Sequence, residues 1–185
     1  MIESKETIQV LDKTFEVYLS KERIAERVME LGAQITRDYQ GRSLLLVGML
    51  NGAFMFSADL MRAIDIPTEI TFVRYKSYQG MESTGQVNQL LGINRDLTDT
   101  HILIVEDIVD TGFTMKEAMA YFNSLNPRSI AVASLLLKPD CLQTELEIEY
   151  VGFEIPEKFV VGYGLDYDGL GRNLKDIYQL KEDKL

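Results

Sequence analysis

Three short aliphatic runs, each leading through a turn into a helical pattern, constrain this chain more than any other feature. Leu44 to Met49, His101 to Val105 and Ser129 to Leu137 are nearly unbroken stretches of Leu, Ile, Val and Ala. They are too short for buried helices, and continuous apolar character is what a strand covered on both faces requires. Helical patterns alternate with them. Ile24, Val28, Leu31 and Ile35 recur at i, i+4, i+7 and i+11 between Ser20, a candidate N-cap, and the Tyr39-Gln40-Gly41 turn. Ala53 to Ile64 follows Asn51-Gly52, and Thr114 to Leu125 is stopped by Asn126-Pro127. Residues 68 to 75 read as a further strand by their β-branched and aromatic content. The alternation predicts an α/β fold with a mostly parallel central sheet flanked by helices. In such sheets ligands bind beyond the carboxyl ends of the strands, so the turns after Met49, Val105 and Leu137 are expected to converge on one crevice.

Composition narrows what that crevice holds. The chain has 185 residues, with 19 basic against 29 acidic, a net charge of −10. Such a surplus of carboxylates opposes attachment to nucleic acid through phosphate neutralisation, so an anionic ligand must be gripped locally. No apolar run approaches the roughly 20 residues that span a bilayer, and Glu3 and Glu6 stand where an export signal needs a cationic start. The single cysteine, Cys141, forms no internal disulfide, which suits a reducing, cytoplasmic location. The four prolines are scattered and no repeat or linker interrupts the chain, so one domain over residues 1 to 185 is expected. Residues 78 to 88, rich in Gly, Ser, Thr, Gln and Asn, read as a long mobile loop.

Chemistry concentrates where the second run ends. Val105-Glu106-Asp107-Ile108-Val109-Asp110-Thr111-Gly112-Phe113-Thr114 passes from a buried strand to a helix start with three carboxylates, two hydroxyls and a glycine. A helix N-terminus offers unpaired N–H groups and positive dipole, Gly112 permits close backbone approach, and Thr111 and Thr114 add donors, which together suit a terminal phosphate. Glu106 and Asp107 fit beside it if they accept hydrogen bonds from sugar hydroxyls and a divalent cation screens the remaining charge. A phosphorylated sugar satisfies both demands. Other readings compete: Thr114 with Glu117 forms a capping-box pattern, Asp110-Thr111-Gly112 suits a simple turn, and an acidic pair after an aliphatic strand also occurs in response-regulator receivers. No G-x-G-x-x-G follows a strand, which weighs against a dinucleotide fold.

The ten-residue segment resembles the phosphoribosyl-pyrophosphate (PRPP) signature of type I phosphoribosyltransferases. Gly48-Met49-Leu50-Asn51-Gly52, Val73-Arg74-Tyr75-Lys76-Ser77-Tyr78, Ser134-Leu135-Leu136-Leu137-Lys138, Val151 to Pro156 and Phe159 to Asp166 resemble the hypoxanthine-guanine branch of that family. The likeness covers most of residues 41 to 180. It implies a core of about residues 20 to 140 and a small hood over the strand ends, formed by the N-terminal segment and about residues 141 to 185. It further implies transfer of phosphoribose from PRPP to N9 of hypoxanthine and guanine with Mg²⁺ as cofactor, a homodimer or homotetramer, and neither nucleic-acid nor membrane partners.

Residue roles follow from the same resemblance. Glu106 and Asp107 hold the ribose hydroxyls and, with Asp166, face the metal. Asp110, Thr111, Gly112, Phe113 and Thr114 cradle the 5′-phosphate, and Asp110 is the candidate general base. Leu50, Asn51 and Gly52 form a pyrophosphate loop with a non-proline cis peptide, and Arg172 clamps the pyrophosphate. Many relatives carry lysine where Asn51 stands, so only the backbone role transfers; Phe113 likewise replaces a lysine of some relatives. Lys138 donates to the purine's 6-oxo group, Phe159 stacks on the base, Val160 gives backbone contacts, and Asp166 borders the purine. Lys76, Ser77 and Tyr78 begin a lid. His101 and Cys141 carry no expected role.

Overall fold

A serine and an apolar stripe spaced by four and three residues start the first helix. Ser20, in extended conformation, accepts from the Arg23 N–H at 3.4 Å, and the helix ends at a Tyr39 cap whose N–H bonds the Ile35 carbonyl. The computed structural model describes residues 6–74 and 96–181. Its elements are β1 (Thr7–Val10), β2 (Lys13–Leu19), α1 (Lys21–Asp38), β3 (Leu44–Leu50), α2 (Phe54–Ala63), β4 (Thr68–Arg74), β5 (His101–Val109), α3 (Phe113–Ser124), β6 (Ser129–Leu137), β7 (Tyr150–Glu154), β8 (Val160–Val161) and β9 (Ile177–Leu180). The expected lid residues Lys76, Ser77 and Tyr78, and the loop 78–88, lie outside the described residues.

The aliphatic runs form the centre of a five-stranded sheet in the order β4-β3-β5-β6-β7, with every pair parallel. Period-two alternation sends Leu44, Leu46, Leu103, Val105, Ala131 and Ala133 to one face, where Ile24, Val28, Leu31 and Ile35 of α1 and Phe56 and Leu60 of α2 meet them. Leu45, Val47, Met49, Ile102, Ile104 and Val132 point the other way, onto Met115, Ala118 and Phe122 of α3. Each large side chain so buried contributes about 1.5–3 kcal/mol, and α1 is held by its stripe rather than by helix propensity. The three-layer α/β architecture expected from the sequence is thus present.

A second, antiparallel sheet runs β1-β2-β9-β8 and packs around Phe15, Val161 and Tyr178. It docks on the core through Asp176, whose buried carboxylate accepts from the Lys21 N–H at 2.8 Å, at the positive end of α1. The expected hood boundary near residue 141 needs correction. Residues 150–154 are β7, on the edge of the core sheet, because Tyr150, Val151, Phe153 and Glu154 pair in parallel with Ala133 to Leu137, and Arg27 of α1 binds the Val151 and Gly152 carbonyls.

Helices α1 and α2 touch where Gly32 leaves no side chain: a Cβ there would overlap the Ala63 backbone and side chain. Gly32→Ala tests which effect wins. The helix gains about 1 kcal/mol of propensity, whereas overpacking against backbone costs about 1–3 kcal/mol. Urea unfolding should show net destabilisation of up to roughly 2 kcal/mol; a more stable variant would show that the helices separate freely at this crossing.

Candidate active site

The crevice is created by a ladder that stops. β3 and β5 are paired from Leu44–His101 only as far as Gly48–Val105, although β3 continues beside β4 to Leu50–Arg74 and β5 beside β6 to Val109–Leu137. This is also where the strand order switches, since β3 connects towards β4 while β5, β6 and β7 build outwards on the other side. Past the divergence, β5 satisfies its own amides: the Asp107 N–H donates to Glu106 Oε1 at 3.1 Å and the Ile108 N–H to Asp107 Oδ1 at 2.9 Å. On the opposite bank the Leu50–Asn51 peptide bond is cis. Gly52 follows, and a Cβ there would collide with the Asp107 carboxylate, so the loop after β3 and the acidic pair of β5 sit in direct contact.

Further along β5 the chain turns into α3. Gly112, at φ 83°, caps the helix with no side-chain hydrogen bond, and the first intrahelical bond runs from the Lys116 N–H to the Gly112 carbonyl at 2.9 Å. A Cβ on Gly112 would strike the buried Thr144 hydroxyl, which packs beneath the turn. The amides of the first turn therefore open on a cleft of about 110 Å³ lined by Glu106, Asp110, Thr111, Gly112 and Thr114 among others. Thr114 lies inside α3, not at its cap, so the capping-box alternative with Glu117 is not realised.

Two charges define the rim. Lys138, at the end of β6, is 8 % exposed and its Nζ donates to Asp110 Oδ2 at 2.8 Å. Burial pushes the Glu106 carboxyl well above the usual carboxylate range, and the neighbouring Asp107 charge and side-chain hydrogen bond push it further. Cys141 closes a short 3₁₀ turn after Lys138, where burial and the Asp110 carboxylate raise its thiol.

The remaining expected residues lie on the small-sheet side. Phe159, 44 % exposed, contacts the rings of Phe15 and Tyr167 with centroids 6.0 and 5.6 Å away. Val160 is buried in β8, opposite Gln179. Both oxygens of Asp166 are occupied, Oδ1 by Arg172 Nη2 at 2.7 Å and Oδ2 by the Gly169 N–H at 2.7 Å, while Arg172 Nη1 donates to the Gly164 carbonyl at 2.7 Å. Among the described residues no group of three His, Cys, Asp or Glu is gathered for a metal. Sequence reasoning also passed over Tyr163, whose flanking Gly162 and Gly164 were a legible signal of a left-handed turn.

With this geometry in place, the comparison with known families is decisive: the phosphoribosyl transferase domain matches residues 16–168. The chain belongs to the phosphoribosyltransferase family. Relatives include the hypoxanthine phosphoribosyltransferase of Haemophilus influenzae, 44% identical with 86% of this chain and 91% of the relative covered. The hypoxanthine-guanine phosphoribosyltransferase of Mycobacterium tuberculosis is 46% identical, with 87% and 83% covered. The crystal structure of a hypoxanthine phosphoribosyltransferase from Staphylococcus aureus superposes with a TM-score of 0.83 at 44% identity, covering 90% of this chain and 91% of that one. The type I phosphoribosyltransferase fold is therefore present, and the receiver alternative is set aside.

The Glu106 environment in this phosphoribosyltransferase has a measurable consequence. Its folded carboxyl titrates above the unfolded value of about 4.3, so the stability it contributes is complete below that pH and lost as pH rises through the raised folded value. Glu106→Gln, which does not titrate, should gain thermal stability relative to the parent as pH is raised. Melting curves taken from about pH 4 to about pH 8 read this directly; a gap that stays constant across that range would show that the carboxyl is ordinarily solvated.

Proposed function

We propose that this phosphoribosyltransferase is a purine salvage enzyme that moves the 5-phosphoribosyl group of PRPP to N9 of hypoxanthine and guanine, giving IMP or GMP and pyrophosphate. The observation that carries the reading is the Lys138–Asp110 pair, a buried ammonium and a carboxylate 2.8 Å apart at adjoining strand ends. A 6-oxopurine carries its exocyclic oxygen and N7 side by side on one edge. Lys138 donates to the oxygen and Asp110 accepts the N7 proton, so one pair reads the base and prepares it. Adenine would turn an amino group towards the ammonium, leaving a buried donor unpaired at a cost of about 1–3 kcal/mol.

The phosphate sits on the amides and hydroxyls of residues 110–114, where the α3 terminus favours an anion without any basic side chain. Glu106 and Asp107 accept from the ribose hydroxyls. Each keeps one carboxylate oxygen outside the hydrogen bonds to Asp107 N–H and Ile108 N–H, and this hard-oxygen donor set fits Mg²⁺, which would neutralise charge on the departing pyrophosphate. The loop Leu50 to Gly52 turns its backbone to the pyrophosphate, Phe159 stacks on the base, and Val160 lends main-chain contacts. Arg172 reaches the pyrophosphate by exchanging its Asp166 partner. In the reaction the N9 lone pair forms the bond to C1′, the bond from C1′ to the pyrophosphate oxygen breaks with its electrons, and the N7 proton passes to Asp110.

Two measurements test this. Incubation with PRPP, Mg²⁺ and each of hypoxanthine, guanine, xanthine and adenine should yield nucleotide and pyrophosphate with the first two; absence of product from every 6-oxopurine rejects the assignment. Asp110→Asn keeps an acceptor for Lys138 but removes the base, so kcat should fall by about 10²–10⁴ while PRPP affinity changes by less than about threefold. Parallel loss of both would refute the role given to Asp110.

A further inference from the structure

We infer that Tyr163 is a positioning residue for the pyrophosphate loop, acting through a hydrogen bond to Asp59; this rests on the activity proposed above. Gly162 to Leu165 form a tight turn, closed by the Gly162 N–H to Leu165 carbonyl bond at 3.0 Å and its reciprocal at 3.1 Å. Both central residues have positive φ, 50° at Tyr163 and 103° at Gly164, the geometry of a type I′ turn. Glycine or asparagine fits the first of these positions without strain, and a bulky tyrosine does not. Tyr163 occupies it with its side chain buried and its hydroxyl donating to Asp59 Oδ2 at 2.7 Å.

That bond closes a ring of contacts around the loop. Asp59 lies on α2, the helix that the Leu50 to Gly52 loop launches, with the Ala53 N–H bonded to the Met49 carbonyl and the Phe54 N–H to the Asn51 carbonyl. Gly164, next to Tyr163, rests on the Gly52 carbonyl so closely that any Cβ at 164 would overlap it. The Tyr163 N–H bonds Leu174 and the Gly164 N–H bonds Arg172, which fixes the turn from behind. The loop is therefore gripped from both sides: its helix is tied to the hydroxyl, and its carbonyl is backed by the glycine beside that hydroxyl. Loss of the bond loosens the tie between the turn and α2 beside Gly52, whereas the phosphate cradle of residues 110–114 is bonded to other groups, Asp110 to Lys138 and the Thr111 carbonyl to the Gln143 N–H.

The variant strands no buried charge. Tyr163 and Asp59 border an open cleft of about 250 Å³, and the Asp59 side chain, 45% exposed and 3.7 Å from Arg62, keeps solvent and a cation when the hydroxyl is removed. Tyr163→Phe should raise the KM for PRPP and the Kd for pyrophosphate with Mg²⁺ by roughly tenfold. The KM for hypoxanthine and the Kd for IMP, which carries base, ribose and phosphate but no pyrophosphate, should stay within about twofold. Asp59→Ala should reproduce the effect, Asp59→Asn, which retains an acceptor, should restore affinity, and the Tyr163→Phe, Asp59→Ala double variant should be no worse than either single change. Equal weakening of IMP and pyrophosphate, or no change in either, overturns the positioning role. A parent protein that binds neither IMP nor pyrophosphate overturns the activity itself, so the two failures are distinct.

Discussion

Where β3 and β5 stop sharing hydrogen bonds, after Gly48 and Val105, the sheet stops being scaffold and becomes site. Parallel strands that continue in register leave no room at their carboxyl ends. Here each of the two stays paired to its outer neighbour for several residues more, so the gap between them opens within rigid structure rather than in a loose loop. The acidic pair occupies one bank and the Leu50 to Gly52 loop the other, and the missing side chain of Gly52 lets them touch. A groove built this way is held to its shape by the aliphatic core on both faces, which is the rigidity that precise placement of a reacting sugar needs.

An acidic chain that is proposed to bind a polyanion must separate local from global electrostatics. At physiological salt the field of distant carboxylates is screened beyond about 8 Å, whereas α3 amides act in contact and a helix terminus adds about 0.3–1 kcal/mol or more. Local geometry therefore outweighs the net charge of −10. The same logic explains why the Lys138 cation is buried: paired with Asp110 at 2.8 Å it avoids the penalty of an isolated internal charge, and it is already oriented for the base that would displace the pairing.

The core was legible in the residues because its strands are buried on both faces. Leu44, His101 and Ser129 each open a strand where the aliphatic run begins, and Ser20 caps α1 as its chemistry requires. The small sheet was not legible. Its strands are two to seven residues long and mix buried with partly exposed positions, so no long apolar run marks them; only the alternation of Phe15, Val17 and Leu19 carries a trace of β2. The segment 150–154 went to the hood by position, whereas Phe153 and Tyr150 pack with the core that β7 joins. Glu106 to Thr114 was read as a unit because local backbone chemistry defines it. The 2.7 Å ion pair of Asp166 with Arg172 has no such local signal, since pairing of side chains across a turn is not written in sequence spacing.

The two sheets divide the proposed labour. The core carries the groups assigned to phosphate and ribose, the pyrophosphate loop and the Lys138–Asp110 pair assigned to the base edge, and the small-sheet side carries Phe159 for the base and Arg172 for the pyrophosphate, so neither alone forms a complete site. What couples them is the Asp176 carboxylate on the first amide of α1, Gly164 on the Gly52 carbonyl, the Tyr163 hydroxyl on Asp59, and the packing of Leu19, Val160 and Ile177 into the core cluster. The contact at Gly164 depends on the absence of a side chain, and close-packed apolar residues beside it transmit displacement with little compliance. A shift of the small sheet would move the loop beside the leaving group before it disturbed the phosphate cradle on α3. The loop assigned to the pyrophosphate is thereby tied to the small-sheet side, and the residue beside that tie is a tyrosine held in a backbone conformation that favours glycine.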